Sequence, residues 1–179
     1  MTSLLGTHHA PMITTPDTTD HIHHGYGFEV SATGVSPTLS AETYVFIGEV
    51  GDLTIHFHGF EVSVSEGPVT IQLIEAPTIT AAGGDTVTPV NKNRNLAATQ
   101  SSTLTTSGGA TISGGTVLAT RMIHTVAGGS HTEAGTTGVL GEWNLKPNTT
   151  YAFVLNLPQD ITWSTTMFWY ELPYDQGVI

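Results

Sequence analysis

From Tyr26 onward, short stretches of alternating or β-branched residues recur between clusters of Gly, Pro, Asn and Asp, at the spacing of a sandwich or barrel. The pattern predicts strands near 26–33, 42–50, 53–65, 69–76, 101–106, 117–125, 139–145, 149–157 and 162–171. The third is the most informative. Leu53, Ile55 and Phe57 share one parity, whereas Phe60, Val62 and Val64 share the other. Because successive side chains point to opposite faces, the switch at Gly59 predicts a bulge or sharp bend, with the strand serving two sheets or turning a corner. Further on, Trp143 and Leu145 share a face, Lys146-Pro147-Asn148-Thr149 reads as a turn, and Tyr151, Phe153 and Leu155 resume the same parity. That arrangement predicts a hairpin buried on one face. With Trp163, Phe168, Trp169 and Tyr170 nearby, segment 142–171 is the expected core, and Trp143→Ala is expected to prevent folding.

Two regions interrupt the strands. Residues 77–116 carry the pairs Gly83-Gly84, Gly108-Gly109 and Gly114-Gly115 with Pro89 and the run Asn91 to Asn95, too long for a simple connection and therefore a functional loop or partly stranded. A second Gly-rich loop is expected over 127–138. Residues 1–25, with Pro11, Pro16, repeated Thr and five of the nine His, show neither period and predict an extended arm. The expected fold is all-β: a single, jelly-roll-like β-sandwich over 26–179 with an extended N-terminal arm over 1–25.

Composition sharpens this picture. Charged residues make up 11% of the 179, and Thr, Ser, Asn and Gly fill the deficit, which suits strands and turns and excludes a helical bundle. Four Lys and Arg against 15 Asp and Glu give a formal charge of −11, which repels a phosphate backbone and argues against nucleic acid as a partner. With no Cys there are no disulfides or sulfur-ligated metals. The N-terminus lacks a basic region followed by an apolar run, and apolar stretches are short, so neither a signal peptide nor a membrane span is expected.

Candidate chemistry is sparse. No GxSxG, GxGxxG or P-loop pattern is present, and the carboxylates are scattered singly, with Glu142 and Glu171 reading as outward polar positions beside aromatics. No catalytic residue, cofactor or metal is expected. His56 and His58, two apart on a strand, share a face. With Gly51, Glu61 and Gly67 they resemble the first metal motif of the cupin family, a resemblance that implies a bound metal. Each interval is about a residue shorter than that pattern, and 139–157 holds no counterpart of the second motif. A strand surface or subunit interface is therefore the preferred reading. His21, His23 and His24 in the arm suit a neutral packed interface, with transition-metal binding as the alternative. Two of the four basic residues, Lys92 and Arg94, lie in Asn91-Lys92-Asn93-Arg94-Asn95, where the Asn side chains can pin their own backbone and Arg94 can fork onto a carboxylate. The expected interface residues are His21, His23, His24, Asn91, Lys92, Asn93, Arg94 and Asn95.

Four pieces in order, His21 to Phe28, Thr86 to Asn95, Glu142 to Tyr151 and Phe168 to Glu171, resemble a group of virion structural proteins of tailed bacteriophages. The resemblance implies a capsid decoration or cement protein on the outer surface of the capsid, without enzymatic activity, that binds the major capsid protein and stabilises the head. A homotrimer, placed at the three-fold points of a shell, is the expected assembly. The alternative is a module of the tail or fibre that contacts a host glycan through Trp163 or Tyr174.

Overall fold

A computed structural model describes residues 22–36, 42–95, 101–123, 131–136 and 143–172. Along the chain the strands are β1 (Gly27–Val35), β2 (Glu42–Glu49), β3 (Thr54–Val64), β4 (Val69–Glu75), β5 (Thr78–Ala81), β6 (Asp85–Thr86), β7 (Val90–Asn91), β8 (Thr105–Gly108), β9 (Thr111–Ser113), β10 (Thr116–Ile123), β11 (His131–Thr136), β12 (Trp143–Leu145), β13 (Thr150–Leu157) and β14 (Thr162–Leu172). Every pairing among the described residues is antiparallel. Sheet A runs β11-β3-β14-β1-β7 with β12 also on β3, sheet B runs β10-β4-β13-β2-β8-β6, and β5 with β9 forms a separate ribbon. No helix among the described residues is long and apolar enough to cross a membrane.

Alternation drives the packing. In β3, Ile55, Phe57, Phe60, Val62 and Val64 are buried, as is Gly59, while His56, His58, Glu61 and Ser63 are half-buried. The expected bulge is present: Phe168 pairs with Gly59 and Trp169 with Phe57, so His58 is the extra residue, and Gly59 has φ +156°. The added residue resets the parity so that both halves of the strand face inward. The strand does not serve two sheets, however. It stays in sheet A and changes neighbour along one edge, β12 before the bulge and β11 after it. Between the sheets, Phe28, Trp163 and Trp169 from one side meet Phe46, Leu73, Phe153 and Leu155 from the other. Trp163 packs so closely over Gly34 that a Cβ there would lie 2.7 Å from the ring.

Several expectations change. The segments 143–145 and 150–157 do not form a hairpin, since β12 pairs with β3 in sheet A and β13 with β2 and β4 in sheet B. The turn between them, with Asn148 at φ +53°, instead carries the chain from one sheet to the other, and both flanks still face the core. Trp143 is only partly buried, whereas Trp169 is 1% exposed and Trp163 3%, so the aromatic weight sits on β14. The expected strand 101–106 begins only at Thr105. Within the expected loop 127–138, His131 to Thr136 is an edge strand on β3. Segment 77–116 is partly stranded, and it covers something. Val45, Ile47, Ile74, Ala152 and Val154 form a second apolar cluster on the outer face of sheet B, joined by Ala110 and flanked by Ile112 of β9. Burial on both faces explains the nearly continuous apolar run of β13.

Candidate interaction surface

Of the eight expected interface residues, His21 lies outside the described residues, and the other seven come together. The chain enters as a helical turn over 22–25, closed by Gly25 N donating to Ile22 O at 3.0 Å, so the end of the expected arm is not extended where it is described. Ile22 packs beside Gly27 and Tyr170, where a Gly27 Cβ would stand 3.0 Å from Ile22 Cγ1. The Asn run holds this turn down. Asn91, buried, donates from Nδ2 to Gly25 O at 2.7 Å, and Asn93 donates from Nδ2 to His23 O at 2.7 Å. The carbonyl oxygens of the same amides accept from the backbone two residues on, Asn93 N to Asn91 Oδ1 at 2.8 Å and Asn95 N to Asn93 Oδ1 at 3.0 Å. Two successive Asx turns thus stiffen 91–95 while the amide groups reach across to the N-terminal segment.

Lys92 continues β7 onto β1 by donating its N–H to Gly27 O at 2.9 Å. Its ammonium lies 3.4 Å from Glu29 Oε2 and 4.6 Å from the Phe168 ring centroid. Both contacts are partly open to solvent, so they orient the side chain more than they stabilise the fold. Among the described residues Arg94 makes no ion pair, whereas Lys92 pairs with Glu29. The outward groups of the site are therefore His23, His24, Arg94 and Asn95, all exposed, with the His24 ring stacked on Tyr26 at 6.2 Å.

One row across sheet A ties the site together. Asn91 pairs with Phe28, Phe28 with Trp169, Trp169 with Phe57, and Phe57 with Trp143. The comparisons with known proteins return nothing. No family model, curated protein or solved structure matches this chain.

The other candidates separate clearly. His56, His58 and Glu61 are half-buried on the outer face of sheet A, with the His58 ring edge-on to Tyr170 at 5.4 Å, while Ile55, Phe57 and Phe60 fill the inner face. The three do not converge on an interior site as a cupin metal motif requires, and among the described residues no group of three His, Cys, Asp or Glu could hold a metal. Trp163, offered as a glycan-contacting aromatic, is in the core; Tyr174 lies outside the described residues.

Two carboxylate centres were missed or misread from sequence. Glu171 is not outward. At 2% exposure it accepts from Thr103 N at 2.8 Å, Thr103 Oγ1 at 2.9 Å, Leu104 N at 3.4 Å, Trp169 Nε1 at 3.0 Å and Ser102 Oγ. The signal was available, because Glu171 shares the parity of the inward Trp169. Glu75 accepts from Lys146 Nζ at 2.8 Å and from Tyr151 Oη at 2.9 Å, and Tyr151 Oη accepts from Lys146 N at 3.0 Å. Hydrogen bonds from Lys146 first and Tyr151 second hold the Glu75 carboxyl below its ordinary value. Burial, reinforced by the Glu75 carboxylate, pushes the Tyr151 phenol up to about 12. Both centres lock the backbone.

Proposed function

We propose that this chain is a structural protein of a tailed-phage virion: a capsid decoration protein that docks as a homotrimer on the major capsid protein, on the outer surface of the head, and makes no chemical change. The observation that carries the reading is the row across sheet A. The four separate segments that resemble phage virion proteins each supply one residue to it, Phe28, Asn91, Trp143 and Trp169, so the resemblance maps onto a single structural unit.

The strand order supports the same reading. With the short strands set aside, sheet A is β11-β3-β14-β1 and sheet B is β10-β4-β13-β2. We infer from this order a jelly roll of two Greek keys, an architecture used by viral capsid proteins among others. Fold alone does not assign function. The physical suitability lies in the pinned N-terminal turn and in an outer face of sheet A rich in hydroxyls, where Ser31 Oγ and Thr166 Oγ1 are 2.9 Å apart. Hydroxyl and amide groups form contacts without the desolvation cost of charges, and an outward position keeps −11 per copy away from packaged genome.

The test is binding of purified full chain to capsid shells that lack it, read by cosedimentation and electron-microscopic reconstruction. The expected result is a trimer at shell three-fold points and particles that resist heat better than undecorated ones. Absence of binding, or density confined to the tail, overturns the reading.

A further inference from the structure

Between the sheets lies a cavity of about 40 Å³. Trp169 and Phe57 wall it from sheet A, Phe46, Leu73 and Phe153 from sheet B, and Leu104 closes the end beside Glu171. The polar atoms of the surrounding side chains are engaged elsewhere. Trp169 Nε1 donates to Glu171, Tyr151 Oη bonds Lys146 N and Glu75, and Thr106 Oγ1 donates to Val87 O. A water in such a space needs two to four hydrogen-bond partners and finds none among these groups, so the space favours an apolar occupant.

Access is built into the same corner. Leu104 precedes β8 and belongs to no strand ladder, and its segment 102–104 is fastened through its hydrogen bonds to Glu171. Displacing it opens the space without breaking sheet pairing. We propose that this cavity is a binding site for a small uncharged apolar molecule, xenon-sized or a light hydrocarbon, with Leu104 as its door and Glu171 as its latch. This goes beyond the virion reading and stands or falls separately from it.

The experiment is a titration of the full chain with xenon and then with cyclopropane, followed by methyl NMR. Saturable shifts are expected at Leu73, Leu104 and Met167 and not at the exposed Val35 and Val117. Shifts that do not saturate, or that are equal at Val35 and Val117, overturn the proposal. Gly48→Ala supplies a blocking variant, since Gly48 lines the space and its Cβ would take up room there, 3.2 Å from Leu104 Cδ1. Xenon affinity should fall about tenfold or more; unchanged affinity in folded protein counts against the site. Leu104→Ala enlarges the space and should admit benzene, seen as a rise in Tm with saturating benzene. A Leu104→Ala protein whose Tm ignores benzene also counts against it.

Discussion

Replacing Glu171 tests the buried network most directly. Its carboxylate, 2% exposed, serves five donors. In Glu171→Ala the hydroxyls of Ser102 and Thr103 can rotate to new partners, and Leu104 N keeps the Ser102 Oγ acceptor at 3.0 Å. Thr103 N and Trp169 Nε1 cannot turn away. An unsatisfied buried donor costs about 1–3 kcal/mol, so these two alone cost about 2–6 kcal/mol. Relief from burying a charge offsets part of that, and breaking a buried charged network costs about 3–5 kcal/mol, which we take as the expected loss. Glu171→Gln keeps the shape. Its amide oxygen can replace Oε1 for Trp169 and Leu104, but the NH2 group then faces Thr103 N, a donor against a donor, so about 2–3 kcal/mol is expected. Urea unfolding followed by tryptophan fluorescence, with an unchanged m value, measures both. A solvent-facing Glu171 would give changes within about 0.5 kcal/mol. Such small values for both variants would refute the buried network.

The tryptophans should separate: Trp169→Ala, emptying a fully buried site, should cost about 3–5 kcal/mol, while Trp143→Ala, only partly buried, should cost clearly less and leave a soluble protein that melts cooperatively. Equal losses would contradict the packing. Stability should hold on a pH plateau bounded by the Glu75–Tyr151 pair. The Glu75 carboxyl is depressed, so its contribution is present above its ordinary value of 4.5 and is lost as pH falls through the folded value. The Tyr151 phenol is raised from 10.0 to about 12, so its contribution is complete below 10.0 and is lost as pH rises toward 12. Tm measured against pH should fall at both ends, and Tyr151→Phe should flatten the alkaline fall; an unchanged alkaline fall in Tyr151→Phe would dismiss the assignment. Asn91→Ala removes the 2.7 Å bond to Gly25 O and the acceptor for Asn93 N, so amide exchange at 23–27 should accelerate about tenfold or more, corresponding to about 1.4 kcal/mol of local stability. Exchange confined to wild-type rates would show that the Asn run does not hold the turn.

Parity along the chain located most of the long strands, because a half-buried strand writes its inner face into every second residue. It placed the bulge in β3 to within one residue, at Gly59 beside the extra residue His58. It failed where residue type was allowed to outrank position: Glu171 lies on the inner parity of β14 with Trp169 and was read as outward because carboxylates rarely sit inside. The turn at Asn148 shows a different limit. A chain reversal between two inward-facing segments looks the same in sequence whether the second strand pairs with the first or crosses to the facing sheet. The deciding partners, β3 for β12 and β2 with β4 for β13, are far away in sequence. The strand β11, His-Thr-Glu-Ala-Gly-Thr, has little strand propensity of its own, and its pairing with β3 outweighs that.

The seven described residues of the expected interface were legible one by one but not as a cluster. The Asn run was identified as self-pinning, which Asn91 Oδ1 and Asn93 Oδ1 bear out, yet nothing local says that the amide ends of those side chains grip the N-terminal turn some 70 positions earlier in the chain. That grip has a consequence for how the two outer faces differ. Sheet B spends its outer face internally, since Val45, Ile47 and Val154 are buried with Ala110, and Ile112 packs against them. Sheet A keeps Ser31 and Thr33 exposed and sets the N-terminal turn at the Tyr170 end of the same face. A partner approaching sheet A meets hydroxyls, the rings of His23 and His24 and the exposed guanidinium of Arg94, whereas one approaching sheet B meets the chain's own cover. If the molecule works by adhesion, substitutions that place Lys or Glu at Thr33 should abolish binding to shells while leaving Tm within about 0.5 kcal/mol equivalent of wild type, because an exposed strand position tolerates charge in the free protein. The matching change at exposed Thr78, on the separate β5–β9 ribbon whose Ile112 packs against the outer face of sheet B, should leave binding intact, and loss of binding there instead would reverse the assignment of faces.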